Sequence, residues 1–119
     1  TFKLLKRGLP GPYTFILPTL KLPKPFQKRK SIGIRISDHP ILNELLGLLT
    51  VPLITTSLHD TDKIVDYTTD PAVIFERWGK NIDLMMDDGF GGNIPSTVID
   101  LCKKEPVVIR KGKGSLNIL

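Results

Sequence analysis

The 119-residue sequence is short of the residues that make covalent, metal or membrane chemistry recognisable. It holds one cysteine, Cys102, which excludes an internal disulfide and fits a reducing, cytoplasmic compartment. That cysteine closes the apolar run Val-Ile-Asp-Leu-Cys, a pattern that predicts a buried, inert thiol rather than a nucleophile. The only histidines, His39 and His59, have no Cys or His at zinc-ligand spacing, so no metal site is expected. Asp60 and Asp62 mimic the opening of a calcium loop, but Val65 stands where that loop requires glycine. No phosphate-binding G-x-x-x-x-G-K-[ST], no dinucleotide fingerprint and no G-x-S-x-G nucleophile elbow occurs. No apolar run approaches the roughly 20 residues that span a bilayer, so no membrane partner is expected. The first residues, Thr-Phe-Lys-Leu-Leu-Lys-Arg, are basic and amphipathic and lack an initiating methionine, and the sequence reads as the interior of a longer protein.

Acidic residues are missing from the first third. Residues 1–37 carry nine Lys or Arg and no Asp or Glu, whereas the remainder carries eight basic and twelve acidic side chains. The overall net charge of +5 is therefore +9 in the first segment and −4 in the second. A basic segment of this kind suits a polyanion, and Lys21, Lys24, Lys28, Arg29 and Lys30 are its densest part. The same five side chains also fit a solvated loop.

What the sequence does contain is organised around Ser-Ile-Gly-Ile-Arg-Ile-Ser-Asp-His-Pro, residues 31–40. With a period of two, Ile32, Ile34 and Ile36 share one face of a strand, and Arg35 stands on the other. Asp38 is placed to cap a following helix, with Pro40 inside its first turn. An arginine at a strand-to-helix crossing suits a carboxylate or phosphate, which guanidinium binds with two parallel hydrogen bonds; it also suits a plain solvated strand position.

Around this centre, residues 2–9 read as the end of a helix stopped by Pro10-Gly11-Pro12. Tyr13–Leu17 reads as a strand, followed by a proline-rich surface connection. Ile41 to Leu49 has helical spacing. Leu53–Thr56 reads as a short strand and the polar stretch after it as a surface loop. Thr69 or Asp70 caps a helix that starts at Pro71 and closes at Gly79. Ile82–Met86 reads as a buried strand, Ser96–Leu101 and Pro106–Arg110 as two more, and Lys-Gly-Lys-Gly-Ser as a flexible basic tail. The expected fold class is α/β or α+β, with a mixed, twisted sheet and helices packed on it. Thr14, Arg35, Thr55, Ser57, Ser96 and Arg110 are small hydroxyls and arginines in or beside these strands. None has a partner base, so their chemistry would be positioning and electrostatics.

The motifs Pro-Gly-Pro-Tyr-Thr-Phe-Ile-Leu, Lys-Arg-Lys-Ser-Ile-Gly-Ile-Arg-Ile-Ser-Asp-His-Pro, Pro-Leu-Ile-Thr-Thr-Ser, Pro-Ser-Thr-Val-Ile-Asp-Leu and Pro-Val-Val-Ile-Arg-Lys-Gly, in that order, resemble the YrdC-like domain. The resemblance extends over nearly the whole sequence, and Thr-Thr-Ser-Leu at 55–58 is most similar to the YciO branch. It implies that residues 1–119 are the C-terminal portion of a single YrdC-like domain, whose N-terminal part is not in this sequence. It implies a nucleotidyltransferase-like activity: ATP, L-threonine and bicarbonate giving L-threonylcarbamoyladenylate for tRNA N6-threonylcarbamoyladenosine modification. On that resemblance Arg35, Thr55 and Ser96 would bind L-threonine, and Thr14, Ser57 and Arg110 would bind ATP. ATP would be a substrate, with or without Mg2+, and no cofactor would be tightly bound. The alternative in the YciO branch is a non-catalytic protein that binds tRNA or double-stranded RNA through Lys21, Lys24, Lys28, Arg29 and Lys30.

Overall fold

The structure is a computed structural model that describes residues 1–59 and 68–119. The acidic stretch 60–67, expected as part of a surface loop, lies outside the described residues. The chain forms two compact units, one of residues 1–52 and 95–119, the other of residues 53–94.

The first unit is built on a four-stranded sheet. Helix α1 (Phe2–Gly8) precedes β1 (Tyr13–Pro18), and β2 (Ser31–Ile34) leads to α2 (Pro40–Leu48). After the second unit come β3 (Thr97–Asp100) and β4 (Val107–Arg110). The spatial order is β2-β1-β3-β4, with β1 antiparallel to β2, parallel to β3, and β3 antiparallel to β4. The expectation of a mixed sheet with helices is borne out. The β3–β4 register shifts between Val98 and Ile99, so Ile109 is an extra residue in β4.

Alternation decides which face of the sheet is covered. Tyr13 and Phe15 of β1, Ile99 of β3 and Leu101 just after it form the buried core, and Phe15 and Ile99 are wholly enclosed. Leu4, Leu5 and Leu9 from α1 and its exit, with Ile34 and Ile118, pack against them. The other face, carrying Thr14, Ile16, Val98 and Arg110, is left for the site.

Several expected features fall out differently. Strand β2 stops at Ile34, short of Ile36, and only Ile34 of the three isoleucines packs on the core; Ile32 and Ile36 are 40% and 50% exposed. This edge strand leaves the ladder there, although Ile36 O still accepts from Gly11 N at 2.9 Å. Asp38 does not cap α2. Its N-cap is His39, and Ser37 Oγ accepts the His39 N–H at 3.1 Å, tightening the turn before Pro40. Cys102 is exposed rather than buried, since it lies beyond the end of β3.

In the second unit, α3 (Pro71–Trp78) is capped as its sequence predicts, Asp70 Oδ1 accepting from Ala72 N at 2.8 Å. Gly79 follows, but in right-handed conformation, and the helix tightens into a 3-10 turn over Gly79–Asn81. Neither Leu53–Thr56 nor Ile82–Met86 is a strand: both are irregular and their side chains, such as Ile54 and Leu84, are largely exposed. A β-branched run becomes a strand only where a neighbour pairs with it, and neither segment pairs into a ladder among the described residues.

The basic tail is not loose. Thr97, fully buried, donates from Oγ1 to Gly114 O at 2.7 Å and accepts from Gly112 N at 3.0 Å. Tyr13 Oη donates to Ser115 O at 2.9 Å, and Lys113 N to Pro95 O at 2.9 Å. The fit needs bare backbone: a Cβ on Gly112 would meet Ser96 C at 2.7 Å, and one on Gly114 would meet the Tyr13 ring at 2.7 Å. Gly112→Ala and Gly114→Ala are each expected to destabilise the fold by about 1–3 kcal/mol, the usual cost of forcing extra volume into a packed site. Urea denaturation reads this out, and an unchanged midpoint would show that the tail is not packed as described.

Candidate functional site

Four residues selected on sequence stand in one row across one end of the sheet. Thr14 is the second residue of β1, Ser96 immediately precedes β3, and Arg110 ends β4 opposite Val98. Continued one residue past Phe15↔Ile34, the β1–β2 register sets Arg35 level with Thr14. Alternation with the core-packed Ile34 assigns Arg35 to the Thr14 face.

Three of the four are joined by hydrogen bonds. Thr14 Oγ1 and Ser96 Oγ are 2.8 Å apart. Arg110 donates from Nε to Ser96 O at 3.1 Å and from Nη2 to Ser96 Oγ at 3.3 Å. Ser96 is buried, so its hydroxyl is fixed rather than free to rotate. A hydroxyl oxygen has two lone pairs, so Ser96 Oγ can accept from the guanidinium and share a further hydrogen bond with Thr14 in either direction. The Arg35 guanidinium is exposed and makes no hydrogen bond or ion pair among the described residues. Beside it, Gly33 has no side chain, and a Cβ there would touch Thr14 Cγ2 at 3.4 Å, so the floor between the two residues stays low.

A guanidinium locked to a buried serine, a threonine hydroxyl and a second, unengaged guanidinium suit the binding of an anion. The set has no base within reach of a nucleophile. Ser96 is bonded to an arginine and a threonine, so the row can bind and orient a reactant but cannot itself form a covalent intermediate by a serine–histidine route.

The remaining selected residues lie elsewhere. Thr55 and Ser57 belong to the second unit, where both are exposed on irregular backbone. Lys21, Lys24, Lys28, Arg29 and Lys30 are all exposed on the β1–β2 connection, and Arg29 lies over the Phe26 ring at 5.9 Å. Phe26 is an aromatic inside the basic cluster that charge counting passes over. Thr97 is a supporting residue that sequence reasoning does not single out. Its place in the strand pattern shows only that it faces the core, whereas its two bonds to the tail depend on the path after β4.

At the far end of β3, Asp100 accepts the Cys102 N–H on Oδ1 at 2.8 Å. That bond, aided by the Cys102 side chain and by Lys103, holds the Asp100 carboxyl below its ordinary range. Its stabilising effect is present above the usual carboxylate range and is lost as pH falls through the lowered value. Desolvation, and then the bond and charge of Asp100, raise the Cys102 thiol above its ordinary value, with Ser31 pulling weakly the other way. A raised thiol holds less thiolate at neutral pH, so Cys102 is exposed yet a poor nucleophile. Asp100→Asn is expected to accelerate alkylation of Cys102 by iodoacetamide near neutral pH, and equal rates in the two proteins would contradict the assignment.

Comparison with known proteins adds to this geometry. The Sua5_yciO_yrdC family model, described as "Telomere recombination", matches residues 1–112. The chain is 41% identical over 119 residues to YciO of Escherichia coli, a protein described as uncharacterized; the match covers 97% of this chain and 57% of that protein. The crystal structure of E. coli YciO superposes with a TM-score of 0.88, over 98% of this chain and 58% of that one. A threonylcarbamoyl-AMP synthase of Marinobacter nauticus is 32% identical over 103 residues, covering 80% of this chain and 51% of the synthase. The crystal structure of P. abyssi Sua5 complexed with L-threonine matches at 31% identity and a TM-score of 0.73, covering 92% of this chain and 32% of that one. The chain thus spans little more than half the length of the curated relatives it matches. No helix among the described residues is long and apolar enough to cross a membrane.

Proposed function

Because the chain belongs to the Sua5–YciO–YrdC family, we propose that it carries part of the site of an L-threonylcarbamoyladenylate synthase-like protein. That reaction joins ATP, L-threonine and bicarbonate into threonylcarbamoyl-AMP and releases pyrophosphate and water, for tRNA modification. The observation that carries this reading is the Thr14–Ser96–Arg110 hydrogen-bonded row beside Arg35, an anion receiver without a nucleophile–base pair. Such a site suits a reaction between substrates that are themselves the nucleophile and electrophile. The protein's share is then alignment and charge compensation.

In this reading Arg35 takes the threonine carboxylate with two parallel hydrogen bonds, and Ser96 lines the same amino-acid pocket. Arg110 and Thr14 contact ATP. Arg110 compensates negative charge on the nucleotide, and its bond to Ser96 couples the nucleotide position to the amino-acid position through one buried hydroxyl. The relative bound to L-threonine supports an amino acid as one substrate.

Calorimetric titration of the chain with L-threonine and with ATP tests the assignment. Arg35→Gln is expected to weaken L-threonine, and Arg110→Gln to weaken ATP, each by about tenfold or more, the worth of a charge-assisted hydrogen bond. A folded chain that binds neither ligand, or binds both as well in the two variants, overturns it.

A second reading has its own observation. The β1–β2 connection presents Lys21, Lys24, Lys28, Arg29 and Lys30, all exposed, with Phe26 stacked beneath Arg29. We propose this loop as a binding surface for the phosphate backbone of tRNA or double-stranded RNA in a non-catalytic, YciO-like role. Affinity for a double-stranded RNA is expected to fall steeply with salt. Lys28→Ala with Arg29→Ala is expected to lower the log–log slope by about one for each phosphate that is no longer neutralised. A salt-insensitive interaction removes this reading.

A further inference from the structure

The hydrogen-bonded row depends on a residue that does not stand in it. The β3–β4 ladder ends at the pair Val98 and Arg110, yet the two backbones stay together past that point. Gly112 N donates to Thr97 Oγ1 at 3.0 Å, and Lys113 N donates to Pro95 O at 2.9 Å. Thr97 Oγ1 donates in turn to Gly114 O at 2.7 Å, so its one proton is committed and a lone pair is left for Gly112. The Thr97 side chain therefore takes the part of a backbone carbonyl in carrying the pairing beyond Arg110. Thr97 is wholly buried, so solvent cannot replace either bond.

Arg110 sits between the last ladder pair and this clamp. Its Nε reaches Ser96 O at 3.1 Å and its Nη2 reaches Ser96 Oγ at 3.3 Å, and Ser96 is the residue next to Thr97. Gly112 runs close against the same serine, where a Cβ would meet Ser96 C at 2.7 Å. An arginine has many rotamers, and one orientation persists only where its acceptors are held at a fixed distance from its own backbone. Here the strand pairing sets that distance on one side of Arg110 and the Thr97 hydroxyl sets it on the other. We infer that Thr97 is a positioning residue for Arg110: through Gly112 and Gly114 it fixes how residues 110–114 approach Ser96, and with that the direction of the guanidinium. That Arg110 meets ATP rests on the synthase reading. The positioning itself is a property of the chain without ligand, and it gives a hydroxyl on the core face a part in the site on the opposite face.

The test follows the Arg110 Nε–H by NMR hydrogen exchange and ATP by calorimetric titration, in the parent and in Thr97→Val, Thr97→Ser and Tyr13→Phe. In the parent the Arg110 proton is expected to exchange about tenfold or more slowly than that of Arg35, which is exposed and unbonded among the described residues. Valine keeps the shape of threonine without its hydroxyl. Thr97→Val is expected to raise the Arg110 exchange to the Arg35 rate and to weaken ATP by about tenfold, and Thr97→Ser, which keeps the hydroxyl, to restore both. Tyr13→Phe breaks the tail bond to Ser115 O, beyond the clamp. It is expected to lower the thermal transition while leaving the Arg110 proton and ATP affinity as in the parent, which separates positioning from plain stability. In an Arg110→Gln background Thr97→Val is expected to weaken ATP no further, because the two act through one guanidinium. If Thr97→Val does not fold, exchange of the parent in increasing urea decides: the Gly112 N–H and the Arg110 Nε–H are expected to open together. The inference is overturned if the Arg110 proton is as slow in Thr97→Val as in the parent, if Tyr13→Phe frees it equally, if the two effects on ATP add, or if Gly112 opens while Arg110 stays protected. A parent that binds no ATP removes the synthase reading alone, and the exchange rates still decide the positioning.

Discussion

The parallel pairing of Tyr13–Ile16 with Thr97–Asp100 is the constraint on which the first unit rests. It joins segments 82 residues apart as judged from the Thr14–Ser96 bond, so the chain must close a long loop before the pairing contributes anything. What holds it closed is burial: Phe15 and Ile99 are enclosed completely, each contributing on the order of 2 kcal/mol of transfer free energy. The site is a by-product of that closure. Thr14 and Ser96 have no local reason to meet, and they touch because their neighbours Phe15 and Ile99 are driven together on the opposite face.

The second layer of support comes from a segment whose composition suggests looseness. Two glycines among lysines look like a disordered end, yet Gly112 and Gly114 are where the backbone passes closest to Ser96 and Tyr13. The Thr97 hydroxyl sits between them, both donating and accepting, and no buried side-chain donor or acceptor is left unmet among the described residues. Hydroxyl residues thus do two jobs at this end of the sheet. Thr97 ties the tail down on one face, and Thr14 and Ser96 bond to each other on the other, where Ser96 also accepts from Arg110.

Much of the first unit is legible in the sequence. Tyr13–Leu17, Ser96–Leu101 and Pro106–Arg110 are short runs rich in β-branched and aromatic residues that begin at or just after a proline, and each is a strand within a residue or two. Of Thr69 and Asp70, both placed to cap the helix at Pro71, the structure uses Asp70. Leu53–Thr56 and Ile82–Met86 carry the same composition without becoming strands, because a strand is completed by its neighbour and composition does not name the neighbour. Of the site, the residue types are legible and the grouping is not. Thr14, Ser96 and Arg110 can be singled out as hydroxyls and an arginine near strands, but their mutual bonds follow from register. Arg35 lies one residue beyond its strand, and Thr55 and Ser57 belong to the other unit.

The extra residue in β4 has a consequence for charge placement. Ile99 pairs with Val108 and Val98 with Arg110, so Ile109 is skipped, its side chain 58% exposed. Side chains on a strand alternate strictly, and the same strand paired regularly, without the bulge, would set position 110 level with Thr97. The guanidinium would then point among Tyr13, Phe15 and Ile99, where an unpaired cation costs several kcal/mol. The bulge, by leaving Ile109 out of the pairing, is what keeps the only arginine of β4 out of the hydrocarbon interior and beside Ser96.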